Sequence, residues 1–283
     1  MDSAAAPRGP LVLGIDSCTD QLGIAVIEGD TNLESLQVDS HGRHTETLVP
    51  ELAALLDRSG RSVRDIGLIG VTIGPGRFTS LRIGLATAQG LAVGLGVRVV
   101  PIPAHLALAS TAAAVLAIAD DRPAPGPSST IRQLIVPTID GGQGVYGAVY
   151  CAVLVGGAGP RGVRVGIGLT LPEPFVDPVF GDAVDLATEV AALLQAPDRV
   201  GARPPVGVVG TGAAKVSAAL GERGISTRLY PWDRIAQFVA ILASVDQGSA
   251  IDPADLEPVY LRPSQAEERR GSAHRALDRT DAP

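Results

Sequence analysis

The chain has 283 residues, with 46% hydrophobic and only 19% charged side chains, so it can form one large domain or two lobes with buried cores and is not a disordered protein. Aromatic residues make up 3%, and packing must therefore rest on Val, Leu, Ile and Ala. A net charge of −7 argues against unaided RNA binding, which needs a basic face, and the presence of one lysine, Lys215, removes most lysine-based mechanisms.

Residues 1–10 contain no apolar stretch that could serve as a signal-peptide core and are expected to be disordered. Leu11 to Ile15 and Gly23 to Ile27 are apolar runs around the polar turn 16–21, the pattern of an antiparallel hairpin, and a third strand is expected near Leu33 to Val38. Between Thr45 and Leu56, the positions Leu48, Leu52, Leu55 and Leu56 form one helical stripe. Pro50 places the helix start near Thr47 or imposes a kink.

A strand ending at Ile73, a helix from about Phe78 to Leu95, a strand at Val97 to Ile102 and a helix at Ala104 to Ala119 follow. Arg98, Pro101, Pro103 and His105 interrupt the apolar region 91–119, so its last part is expected to be a buried helix and not a membrane span. Residues 120–130 are rich in Pro, Gly and Ser and mark a boundary between a first lobe, 11–119, and a second, 131–263.

The second lobe opens with Leu134 to Ile139, the turn Asp140 to Gly144, and Val145 to Val155, a weak internal repeat of the first hairpin. Residues 156–180 suggest loops or an edge hairpin, and Ala183 to Leu194 a helix. Val206 to Val209 is a short strand that enters the turn Gly210 to Ala214 and a helix to about Leu220; Ile235 to Val245 is another helix. The tail 264–283 is expected to be disordered. Cys18 and Cys151 sit in strand-like contexts and read as reduced core thiols, which points to the cytoplasm.

The most informative segment is Gly74-Pro75-Gly76-Arg77-Phe78-Thr79-Ser80-Leu81-Arg82-Ile83-Gly84, where a buried strand stops, a glycine turn intervenes and a helix begins, capped by Thr79 or Ser80. It resembles the GPGSFTGLRIG signature of the bacterial TsaB (YeaZ) family, with Arg77 in place of serine and Ser80 in place of glycine. His44 to Pro50 is similar to that family's H-S-E-x-L-x-P helix start, and Pro258-Val259-Tyr260-Leu261-Arg262 to its terminal P-x-Y-L-R. The resemblance covers residues 11–105 well.

That resemblance implies an α/β fold of two actin/hexokinase/Hsp70-like lobes with mixed sheets and helices. In that superfamily two aspartate turns face a nucleotide's phosphates and magnesium and a late glycine turn packs on adenosine; the matching positions are Asp16, Asp140, Gly142, Gly210 and Gly212, which the resemblance to TsaB implies form a degenerate version of that site. The TsaD-type relatives, once labelled glycoproteases, carry an H-x-x-x-H metal pair on a helix. Here His105 is followed four residues on by Ala109 and preceded by Pro101, and His41 and His44 fit a solvated pair or a helix-start hydrogen bond. No metal, cofactor or catalytic residue is therefore expected.

Ala53, Ala54, Gly84, Ala86, Gly90, Ala92 and Gly94 give the first two helices more small positions than one sheet-facing stripe requires, which fits either a thick core or an exposed interface. The resemblance favours an interface formed by Leu48, Leu52, Leu55, Phe78, Leu81, Arg82, Leu85 and Gln89, with Gly74, Pro75, Gly76 and Thr79 as the motif turn. It implies a non-catalytic scaffold for a TsaD-like transferase that places threonylcarbamoyl on adenosine 37 of tRNAs reading ANN codons. A TsaE-like ATPase joins, tRNA enters only with the complex, no membrane is involved, and the chain pairs with itself when alone. The alternative is an ATP-dependent kinase or ATPase of the same superfamily.

Overall fold

A computed structural model describes residues 9–29, 31–40, 42–119, 130–142, 144–155, 176–195 and 206–261. Most of the segments expected to be disordered or to link the lobes, 1–8, 120–129 and 264–283, lie outside the described residues, as does 156–175 of the glycine- and proline-rich stretch.

β1 (Leu11–Asp16) pairs antiparallel with β2 (Gln21–Glu28), which pairs antiparallel with β3 (Thr31–Asp39). On its other side β1 runs parallel to β4 (Ile66–Thr72), and β4 parallel to β5 (Val99–Ile102). The first sheet has the order β3-β2-β1-β4-β5. Every residue of β1 is buried, as expected of a strand covered on both faces.

The second sheet repeats the plan. β6 (Thr130–Asp140), β7 (Val145–Val155) and β8 (Val176–Gly181) form an antiparallel meander, and β9 (Val206–Val209) and β10 (Thr227–Tyr230) run parallel beside β6. Its order, β10-β9-β6-β7-β8, mirrors the first sheet strand for strand, so the weak sequence repeat is a structural one.

Helices α1 (His44–Arg58) and α2 (Phe78–Leu95) cover one face of the first sheet, where Leu48, Leu52, Leu55, Leu81 and Leu85 join Leu13 and Ile15 in the core. α3 (Ala104–Ala119) lies between the two sheets, touching β6, β7 and β9. α4 (Ala183–Leu194) and α5 (Ala213–Gly221) pack outside the second sheet around Leu134, Val136, Leu186 and Val216. Alternation along β6 sends Leu134 and Val136 outward to that cluster and Ile135 and Ile139 inward to the core shared with α3.

The largest departure from the sequence reading is the boundary of the second lobe. α6 (Ile235–Val245) packs against β1, β2, β4 and α3 of the first lobe, with Ile235, Val239, Ala240 and Ala243 in its core. Gly14 and Gly70 permit the contact: a Cβ on Gly14 would lie 2.3 Å from the Ala236 carbonyl oxygen, and one on Gly70 2.7 Å from the Ala243 Cβ. Residues 246–261 stay with the first lobe, where Ile251 bridges the β5 edge through Val99. The 131–263 span is thus divided, and residues 235–261 pack with the first lobe.

Three smaller departures follow local chemistry. α1 begins at His44 and runs through Pro50, instead of starting near Thr47. Neither Thr79 nor Ser80 caps α2: Arg77 is the N-cap residue and its side chain makes no capping bond, Thr79 is exposed, and Ser80 Oγ donates back to the Arg77 carbonyl at 3.3 Å. β10 was not anticipated, because Thr-Arg-Leu-Tyr at a sheet edge leaves Arg228 and Leu229 exposed and lacks an apolar run.

A closed aspartate turn beneath a candidate docking face

The motif turn is built by close backbone approach. Gly74 has φ +108°, and the Gly74–Pro75 peptide is cis. A Cβ on Gly76 would lie 2.4 Å from the Cys18 carbonyl oxygen, the same oxygen that accepts from the Arg77 amide at 2.8 Å. The turn is therefore pressed onto the first aspartate turn, and only glycine fits at Gly76.

Beneath it Asp16 is fully buried and accepts hydrogen bonds from Thr72 Oγ1 at 2.8 Å and the Cys18 amide at 3.4 Å. Burial pushes its carboxyl pKa up, against the lowering effect of those bonds. Burial also pushes the Cys18 thiol well up, with the nearby Asp16 charge adding to it, so this free cysteine is an inert core thiol. The side chain of Cys151 lies outside the described residues. Asp16, expected as a position of a degenerate nucleotide site, is thus enclosed and not open to solvent.

The second aspartate turn is open. Asp140 Oδ1 accepts from Lys215 Nζ at 2.8 Å and from the Gly142 amide at 2.9 Å, while the Asp140 amide donates to Thr211 Oγ1 at 2.9 Å. Partial burial raises the Asp140 carboxyl, but the bonds from Lys215 and Gly142 outweigh it and the net shift is downward. Gly210, by contrast, serves strand packing: a Cβ there would lie 2.1 Å from the Thr138 carbonyl oxygen. Asp140, Gly142, Gly210 and Gly212 thus come together around Thr138 and Thr211.

His44 and His105 take structural positions. His44 is buried and hydrogen-bonded to Ser40 Oγ at 2.8 Å, with its pKa lowered by burial. His105, heading α3, is hydrogen-bonded to Tyr150 of β7, and burial lowers its pKa to about 4. His41 lies outside the described residues. Among the described residues no three His, Cys, Asp or Glu side chains gather as a metal site would require.

The expected interface set separates in two. Leu48, Leu52, Leu55, Leu81 and Leu85 are buried in the chain's own core and are unavailable to a partner, a correction with a simple cause: they are the sheet-facing stripe. The opposite side of α2 exposes Phe78, Arg82, Ala86, Gly90 and Val93, with Phe78 at 44% and Val93 at 71%. Beside it, α1 exposes Val49 (58%), Pro50 and Ala53. Ala86, Gly90, Gly94 and Ala53, four of the surplus small residues, fall on this outer face, whereas Gly84 and Ala92 are buried.

The sequence reading missed that the terminal P-x-Y-L-R motif is seated on this helix. The Val259 amide donates to the Ile73 carbonyl at 2.7 Å, Tyr260 stacks on Phe78 with ring centroids 5.3 Å apart, and Gln89 Nε2 donates to the carbonyls of Pro253 and Leu256 at 2.9 and 3.2 Å. Gln89 is thus a tether for the chain's own C-terminal strap. Only the recurrence of both motifs in one family hinted at this contact.

A family model described as TsaD, tRNA N6-adenosine threonylcarbamoyltransferase, matches residues 39–124, which hold α1, the motif turn, α2 and α3. The Escherichia coli tRNA threonylcarbamoyladenosine biosynthesis protein TsaB is 31% identical over 101 residues, covering 36% of this chain and 43% of that protein. Two Pseudomonas aeruginosa structures share the fold. One, described as similar to peptidase YEAZ, has a TM-score of 0.59 at 21% identity over 89% of this chain and 100% of that one. The other, YeaZ, has a TM-score of 0.57 at 20% identity over 88% and 100%. Over part of its length the chain is similar to TsaB and TsaD proteins, and its fold is that of the YeaZ structures.

A tRNA N6-adenosine threonylcarbamoyltransferase of Solidesulfovibrio magneticus is also similar, 39% identical over 101 residues, covering 30% of this chain and 27% of that protein. The match therefore spans less than half the length of these curated relatives. The α/β architecture of two lobes, each with a mixed five-stranded sheet and helices, is shared with the two Pseudomonas aeruginosa structures.

Proposed function

We propose that this chain is a non-catalytic subunit of the machinery that forms N6-threonylcarbamoyladenosine at position 37 of tRNAs reading ANN codons, and that it works by docking a TsaD-like transferase. The observation that carries this is the apolar outer side of α2, Phe78, Ala86, Gly90 and Val93, beside Val49, Pro50 and Ala53 of α1. Small side chains let facing helices approach closely, and an apolar centre supplies most of an interface's affinity. The closed turn around Asp16 supports the non-catalytic part, since it leaves that carboxylate without access to phosphate or metal.

On this proposal the same face meets a second copy when the chain is alone, a TsaE-like ATPase joins the assembly, and tRNA enters only with the complex. Reconstitution tests it: a TsaD-like transferase, a TsaE-like ATPase, threonylcarbamoyl adenylate and tRNA should modify adenosine efficiently only when the chain is added. Modification of tRNA by the chain alone would overturn it.

One observation favours the kinase alternative: Asp140, Lys215 and Thr211 converge at an accessible turn. Calorimetry with magnesium-ATP separates the two. Micromolar binding by the isolated chain, lost in Asp140→Ala, would favour the kinase; heats at the level of buffer are expected.

A further inference from the structure

One charge stands in the apolar outer side of α2. Arg82 is the single ionisable residue among the helix's 18. Its guanidinium carbon lies 3.9 Å from the Phe78 ring centroid and 5.8 Å from that of Tyr260, and Nε donates to Tyr260 Oη at 2.8 Å. All three side chains are exposed. Among the described residues no carboxylate is paired with Arg82, whereas Arg58, Arg61, Arg77 and Lys215 each have one.

An exposed arginine ordinarily samples many rotamers; stacking on two rings and the Nε bond hold this one in place. With Nε engaged, the terminal Nη groups remain as donors, and a planar guanidinium is suited to a carboxylate. When the surrounding apolar surface is covered, a charge left unpaired there would strongly oppose binding, so the covering surface must bring an acid to it.

We infer that Arg82 is a preordered receptor for an Asp or Glu carboxylate on the docked transferase, and that Tyr260 of the C-terminal strap is the residue that positions it. This rests on the docking role proposed above. It also explains why the P-x-Y-L-R motif sits on α2, because the tyrosine hydroxyl fixes the arginine before the partner arrives and so lowers the ordering cost of association.

The test measures the affinity of the intact chain for the TsaD-like transferase at low and high salt, with urea denaturation to confirm that each variant folds. Arg82→Ala should weaken binding roughly thirtyfold, as arginine anchors do, and flatten its salt dependence. Arg82→Lys should recover little of this, because an ammonium lacks the fork. Tyr260→Phe, which removes only the hydroxyl, should cost about fivefold in the wild-type background and nothing in Arg82→Ala, the mark of a coupled pair.

Val93→Asp on the same stripe keeps the two levels apart. If it abolishes binding while Arg82→Ala stays within twofold of wild type, the docking face stands and the anchor is overturned. If Val93→Asp is also harmless, the docking role itself fails. Additive losses for Tyr260→Phe and Arg82→Ala would overturn the positioning role. Losses confined to self-association would place the carboxylate on a second copy and overturn the assignment to the transferase.

Discussion

The hydrogen bond from Arg82 Nε to Tyr260 Oη joins residues 178 positions apart, one in the first motif and one in the last. The strap that carries Tyr260 is anchored stepwise: Ile251 to Val99 on the β5 edge, Leu256 in the core, the Gln89 bonds to α2, then the Val259 bond to Ile73. Stability should therefore concentrate at the buried end. Leu256→Ala is expected to cost about 2–4 kcal/mol in urea denaturation, and Tyr260→Ala less than about 1 kcal/mol, because one empties a core position and the other an exposed one.

The two sides of α2 should respond in opposite ways to charge. Leu85 is 4% exposed, so Leu85→Asp buries an unpaired carboxylate and is expected to cost about 4 kcal/mol or more, leaving little folded protein. Val93→Asp, at a position 71% exposed, should change stability by less than about 0.5 kcal/mol. Circular dichroism melts of both variants check this contrast, and equal losses would place Val93 in the core.

Glycines on the helix and its turn divide by what a methyl group would meet. A Cβ at Gly84 would lie 2.1 Å from Ser17 Oγ and one at Gly76 2.4 Å from the Cys18 carbonyl oxygen, whereas Gly90 faces open space. Gly76→Ala should thus destabilise by about 2 kcal/mol or more. Gly90→Ala should stabilise by about 0.5–1 kcal/mol through helix propensity. Chemical denaturation distinguishes the signs.

His105 gives the protein an acid-sensitive joint between its lobes. Its folded pKa of about 4 lies below the ~6.5 of an unfolded histidine, so between those values the unfolded chain binds a proton that the folded chain refuses. Its contribution is present in full above about pH 6.5 and is lost as pH falls toward 4, with an upper bound of about 3 kcal/mol. His105→Asn should flatten urea midpoints across that window relative to wild type, and parallel profiles would refute the assignment.

Much of the architecture was legible because its periodicities are clean. α2, α3, α4 and α6 run between the residues the apolar spacing indicated, and the repeat of strand, aspartate turn and strand anticipated the mirrored sheets. The lobe that owns α6 was not legible: Ile235 to Val245 is apolar enough to pack anywhere, and Gly14 and Gly70, which choose the sheet, lie more than 160 residues earlier. The expected interface set fell largely on the buried stripe for a related reason. A leucine stripe looks the same whether it meets a sheet or a partner, and only the complementary set at four-residue spacing, Phe78, Arg82, Ala86 and Gly90, marks the outer face. The role of Gln89 depended on the strap, which no local pattern reveals.

Mixing the purified chain with a TsaD-like transferase on a sedimentation-velocity run, wild type beside Val93→Asp, decides whether this protein acts through the outer side of α1 and α2. A faster-sedimenting complex with wild type, absent for a Val93→Asp protein that is fully folded, is the predicted result. An unchanged complex with the variant would contradict it.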